Sequence, residues 1–181
     1  MVKTLLFHFS VLLLITVPYI TPAQTPVNPV IKEYGTIYAL DSVYLPDKSL
    51  DYKIVIDFKP TNDKYDQVNK GLLSVARMLN LHAAGGIPPQ QMHIVVVIHY
   101  TATSIVLNNV GYQKKYGVNN PNLDLLSKLK VAGVKFYVCG QSLVARKYNF
   151  ADVNPDITIA LSMLTTVTEH MMKGYKLLVF Q

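Results

Sequence analysis

Cys139 is the only cysteine in the chain, and its neighbours favour thiol chemistry. An apolar run ends at it, and Gly140, Gln141 and Ser142 follow. A cysteine between a buried strand and a helix start meets turn amides and the positive end of the helix dipole, and both favour thiolate. Gly140 carries no Cβ, so the backbone can approach closely there. Two other apolar runs end in proton-handling side chains. Residues 53–58 include Asp57, and residues 92–98 lead into His99 and Tyr100. His99 would serve as a positive partner or proton shuttle if the fold brings it to the sulfur. The competing reading is plain packing, since free cysteine is among the most buried residue types.

Spacing removes several thiol chemistries. One cysteine permits no C-x-x-C exchange, no disulfide within the chain and no all-cysteine zinc cluster. The segment after Cys139 lacks the glycine-rich cradle and the arginine spacing of tyrosine phosphatases. A cysteine hydrolase stays open as a lower-ranked option, since its histidine needs a third group to orient it and none is evident in the sequence. His93, His99 and Cys139 are scattered and match no zinc-site spacing, so no metal and no organic cofactor are expected. Met163, Met171 and Met172 read as core filling beside His170. The 12 tyrosines are dispersed and predict no stacking platform.

A chain of 181 residues, 50% hydrophobic and 15% charged, holds one domain with a real core and little disorder. Its net charge of +6 comes from 17 Lys+Arg against 11 Asp+Glu. Only Arg77 and Arg146 are arginines, and the lysines form no long run. That pattern argues against nucleic-acid binding.

The first residues read as a leader. Lys3 precedes an apolar run over 5–17, Pro18 ends it, and Thr21-Pro22-Ala23 offers small residues for cleavage. This predicts a signal peptide over 1–23 and a periplasmic or secreted protein. The run is shorter than the roughly 20 residues of a membrane span, so no stable anchor is expected after cleavage. Loss of Lys3 takes the charge from +6 to +5, and the leader inflates the mean hydropathy of +0.24. Residues 24–50 form a lead-in broken by prolines and Gly35. Tyr34, Ile37, Tyr38, Val43, Tyr44 and Leu45 make it too apolar for a free tail, so it should pack on the domain or a neighbouring subunit.

Residues 51–181 alternate strands with helices. A strand at 53–58 precedes a helix with Val68, Leu72, Val75, Ala76 and Leu79 at helical spacing. A strand at 92–98 precedes a short helix, capped by Thr101 or Thr103, through Ile105 and Val106. Residues 108–120 read as a loop. Pro121 opens a helix with Leu123, Leu126 and Leu129 inward, and a strand follows at 134–138. Pro155 opens the last helix, carrying Ile157, Ala160, Leu161, Leu164, Val167 and Met171, before a strand at 176–180. The order predicts a flavodoxin-like three-layer α/β/α sandwich with a mostly parallel sheet. Four strands are clear, and a fifth is expected from the lead-in or the loop. Ligands gather at the carboxyl ends of such strands. Asp57, His99, Tyr100, Cys139, Gly140, Gln141 and Ser142 should therefore share one edge.

Several pieces occur in a telling order: Tyr52-Lys-Ile-Val-Ile-Asp57, Ile94-Val-Val-Val-Ile-His99, Asn120-Pro-Asn122, Val138-Cys-Gly-Gln-Ser-Leu143 and Pro155-Asp156-Ile157. Together they resemble the DsrE/DsrF-like proteins, in particular a secreted branch. The resemblance implies a flavodoxin-like fold, trimers or hexamers, and sulfur relay with a donor or acceptor protein. Cys139 would hold sulfane sulfur as a persulfide without any cofactor, with His99 assisting. Gly140, Gln141, Ser142, Asp57 and Tyr100 would line the site. Two features depart from the family. The leader removes the chain from the usual relay partners, and Tyr100 stands where relatives often carry glycine, which would narrow the pocket. The alternative is a non-catalytic oligomeric module whose strand-end cleft takes a small ligand or a protein.

Overall fold

A computed structural model describes residues 25–61 and 64–181. The expected signal peptide over 1–23 lies outside the described residues.

Among the described residues, seven strands and five α-helices follow in chain order. β1 (Pro26–Val27) and β2 (Ile37–Tyr38) pair antiparallel in the lead-in. β3 (Tyr52–Phe58) leads to α1 (Lys70–Ala84), and β4 (Met92–Ile98) to α2 (Asn109–Tyr116) and α3 (Leu123–Val131). β5 (Lys135–Cys139) runs into α4 (Gly140–Ala145). β6 (Thr158–Ala160), α5 (Met163–Met172) and β7 (Lys176–Phe180) complete the chain. β3 to β7 form one parallel sheet in the order β6-β5-β4-β3-β7.

The order explains the layers. From β3 to β6 the chain steps one way across the sheet, and right-handed crossovers put α1 and α3 on one face. The return from β6 to β7 reverses direction and carries α5 to the other face. Alternation along the strands sorts the core accordingly. Ile54, Ile56, Phe58, Ile94, Val96 and Ile98 pack with Leu72, Leu79, Leu125 and Leu129 of α1 and α3. The opposite face is smaller, with Val55, Val95 and Val97 under Val167 of α5.

The lead-in packs on the domain through Ile31, Val30 and Tyr34, and one buried side chain gathers its backbone. Asn80, fully buried on α1, accepts the N–H groups of Val30 and Ile31, each at 2.9 Å. Its amide donates to the carbonyls of Ile31, Tyr34 and Gly35. Gly35 sits at φ +67, and a Cβ there would lie 2.3 Å from the Arg77 nitrogen, so only glycine fits. Of the apolar residues of this stretch, Ile37 is buried and Tyr34 packs on the core, while Tyr38, Val43, Tyr44 and Leu45 remain exposed in the single chain.

Other expectations are corrected. Residues 108–120 hold α2, capped by the Asn108 side chain on the Gly111 N–H and ended by Gly117 at φ +74. The short helix after β4 is a 3-10 turn over Tyr100–Val106 with His99, not a threonine, at its N-terminus. α3 buries Leu125 together with Leu126 and Leu129, and Leu123 is only partly covered. The last helix starts at Ser162, whose side chain accepts the Thr165 N–H. The stretch before it is β6, which supplies the fifth strand of the sheet. Leu161, Leu164, Met171 and Met172 face outward and are not core. Three tyrosines cluster, with Tyr65 and Tyr116 stacked at 4.0 Å and Tyr112 beside them. Among the described residues, no helix is long and apolar enough to cross a membrane.

Candidate functional site

β5 delivers Cys139 as its last residue, and α4 begins at the next one. The junction is tight because Gly140 lies under β6: a Cβ on it would stand 2.9 Å from the Ala160 carbonyl oxygen. The abrupt strand-to-helix turn points the first amides of α4 at the Cys139 sulfur. The residue is 5% exposed.

The polar groups that favour the Cys139 thiolate are the Ser142 hydroxyl and the backbone N–H groups of Met163, Ser142 and Gln141. Burial pushes the thiol up, but these donors together outweigh it and hold the thiol below its ordinary range. The donors come from two helices in opposite layers. Leu143 of α4 packs with the α1 side of the core, whereas Met163 opens α5 and packs on the other face. The Gln141 contribution is its backbone amide, and its side chain is exposed.

Ser142 is itself oriented. Its oxygen accepts the Tyr100 N–H at 3.1 Å, which leaves the hydroxyl proton free to point at sulfur. Tyr100 reaches this position with φ +53, in the left-handed region that non-glycine residues seldom occupy. Its ring is turned to solvent, 62% exposed, with the Arg146 guanidinium 5.2 Å above the centroid. The tyrosine thus covers the outer side of the site, and Arg146 places the one described arginine of this edge beside it.

Asp57 and His99 complete the edge. Asp57 Oδ1 lies 2.5 Å from His99 Nε2, and the side chains are 17% and 12% exposed. The sequence offered no orienting group for His99; the structure supplies Asp57 in that place. By strand alternation Asp57, His99 and Cys139 share parity with Val55, Val97 and Tyr137, so all three project from the α5 face.

The remaining candidates lie elsewhere. His93 begins β4 while His99 follows its end, so the trio of His93, His99 and Cys139 does not assemble. His93 instead faces Asp51 at 4.0 Å. His170 is buried between Tyr137 and Tyr175, with Nδ1 2.7 Å from the Thr166 carbonyl. A groove of about 440 Å³ lies between residues 37–46 and the last turn of α1, lined by Leu40, Tyr44, Leu45 and Leu81. It belongs to the opposite end of the strands, because α1 runs from the carboxyl end of β3 back to the start of β4. Sequence reasoning missed Met163. Its contribution is a backbone amide, which leaves no trace in residue type.

A buried thiol in a cradle of amides, at the carboxyl edge of a parallel five-stranded sheet, defines a three-layer α/β protein built around one stabilised sulfur. The DsrE/DsrF-like family model matches residues 52–180, and the chain belongs to that family. Membership suggests a sulfur-relay-related role. Among solved structures, the chain is similar to a protein of unknown function from Methanobacterium thermoautotrophicum, with a TM-score of 0.52 and 18% identity. That likeness covers 72% of this chain and 100% of the other, and it shows the fold. No curated protein matches the chain.

Proposed function

We propose that Cys139 accepts sulfane sulfur as a persulfide and passes it to a protein acceptor. The observation that carries this reading is the convergence of three backbone amides and the Ser142 hydroxyl on one sulfur. Such a cradle stabilises negative charge on Sγ, and it would serve equally the charge of a persulfide. The thiolate attacks the outer sulfur of a donor such as thiosulfate. The Cys139 S–S bond forms, the donor S–S bond breaks, and its electron pair leaves with sulfite. No metal or organic cofactor is required by this step. Residues 1–23 support a site of action outside the cytoplasm.

Self-association is part of the same proposal. β7 is an edge strand with Leu177, Leu178 and Val179 each at least 39% exposed. Met171 and Met172 of α5 extend this apolar surface, as expected of a buried subunit contact. The alternative, a packed thiol in a binding module, draws on the 5% exposure of Cys139.

The test is intact mass after incubation with thiosulfate or polysulfide. The expected result is a gain of whole sulfur atoms that maps to Cys139, is reversed by reductant and disappears in Cys139→Ser. Loading that persists in Cys139→Ser overturns the reading. A thiol that refuses both sulfur and alkylation until the protein is unfolded favours the module.

A further inference from the structure

The pairing of Asp57 with His99 has no part in the sulfur cradle, yet its geometry is that of an oriented base. A carboxylate can only accept a hydrogen bond, so the imidazole must carry its proton on Nε2, toward Asp57 Oδ1 at 2.5 Å. The neutral ring then keeps its lone pair on Nδ1. The pair is fixed from the backbone as well. The His99 N–H donates to the Phe58 carbonyl at 3.2 Å, continuing the β3–β4 ladder past Ile98.

The neighbour on the other side is β5. Ile98 is in register with Val138, so one step further sets His99 abreast of Cys139 on the adjacent strand. Adjacent strands lie about 4.8 Å apart, and both side chains leave the sheet on the α5 face. The ring and the sulfur are linked by a second route. The residue after His99 donates its N–H to Ser142 Oγ, and the Ser142 hydroxyl is one of the groups that favour the Cys139 thiolate.

We infer that Asp57 is a positioning residue that holds His99 as the proton acceptor for the Cys139 thiol. The inference rests on the sulfur-acceptor reading. In the step it adds, the Cys139 S–H bond breaks and a bond forms from that proton to His99 Nδ1. The electron pair stays on sulfur, and ionised Asp57 compensates the imidazolium. When an acceptor thiolate later takes the outer sulfur, Cys139 departs as thiolate and His99 returns the proton. The other groups near the dyad are few. β7 places Val179 beside Asp57, and α5 presents His170, Thr166 and Val167 to the sheet. β3 continues into Lys59, and Arg146 stands over Tyr100.

The experiment is the rate of Cys139 alkylation by iodoacetamide from pH 5.5 to 9.5, on the full chain and on Asp57→Asn, Asp57→Glu and His99→Gln. The asparagine can turn its amide nitrogen to the ring and impose the wrong tautomer. Asp57→Asn should lose about 10²-fold in rate near pH 7 and converge on wild type near pH 9.5, where the thiol ionises unaided. Asp57→Glu should recover part of the loss. His99→Gln should match Asp57→Asn, and the double variant should lose no more than either. A wild-type rate in Asp57→Asn at pH 7, or an equal loss at every pH, overturns the inference. If Asp57→Asn does not fold, His99→Gln carries the same pH comparison. Dyad-dependent alkylation without sulfur loading from thiosulfate would sink the persulfide reading and leave this one standing.

Discussion

Replacing Ser142 by alanine removes one donor from the sulfur and the acceptor of the Tyr100 N–H. A hydrogen bond to a charged group contributes about 1.5–3 kcal/mol. One pKa unit corresponds to about 1.36 kcal/mol, so the thiol should rise by roughly one to two units in Ser142→Ala. The amides of Gln141, Ser142 and Met163 remain and keep part of the depression. Below the thiol pKa the thiolate fraction falls tenfold per unit. Alkylation near pH 7 should therefore slow by about 10–100-fold, with the rate ceiling at high pH unchanged. Stability should change less, because exposed Tyr100 can direct its freed N–H to water. The assay is a pH series of alkylation rates for wild type and Ser142→Ala, with a thermal melt of each. An unshifted midpoint in a folded Ser142→Ala protein would refute the cradle as the cause of the low thiol pKa.

Three further outcomes are expected. Asn80→Ala should cost about 2–4 kcal/mol in urea unfolding, since five backbone groups of the lead-in lose their partner, and limited proteolysis should then cut within residues 25–50. Cys139 gives stability a pH dependence of known sign. The folded thiol titrates below its ordinary value of 9.0, so between the two values the folded state holds fewer protons than the unfolded. Wild type should gain on Cys139→Ala as pH rises through that window and gain no more above about 9, measured as the difference in Tm. Leu178→Lys on the exposed edge strand should lower the mass seen by light scattering if self-association uses β7, and an unchanged mass would remove that surface from consideration.

Much of the fold is legible where a strand is long or buried on both faces. Met92–Ile98 is apolar at six of seven positions, and only a central parallel strand needs that. β6 has three residues on an edge, too few to display a period of two, and its neighbours at helical spacing extended the helix reading across it. α2 carries no apolar stripe, because it buries only Tyr112 and Gly111, although Asn108 and Gly117 punctuate it correctly. α5 was misread in its facing. It lies on three small valines, which Val167 and Met163 cover, with Thr166 and His170 also buried, and Leu164 and Met171 are left outside. At the site, Asp57, His99 and Cys139 could be read as strand ends, since topology alone collects them. What could not be read was which partner each would choose. The Asp57–His99 pair depends on the β3–β4 register, and the Met163 amide depends on β6 pairing with β5 and on where α5 begins just after it.

The return from β6 to β7 has a consequence for anyone who labels the thiol. The sulfur is tethered to the start of α5, which leaves the edge strand β6 and then carries the chain back across the sheet to β7, whereas β5 and α4 are assembled locally. Any excursion that lifts β6, α5 and β7 together removes one amide and uncovers Sγ, while the remaining strands stay paired. Slow alkylation at neutral pH would then report the free energy of that partial opening rather than of global unfolding. The single cysteine thus doubles as a gauge of tertiary order over residues 158–180, readable by mass alone.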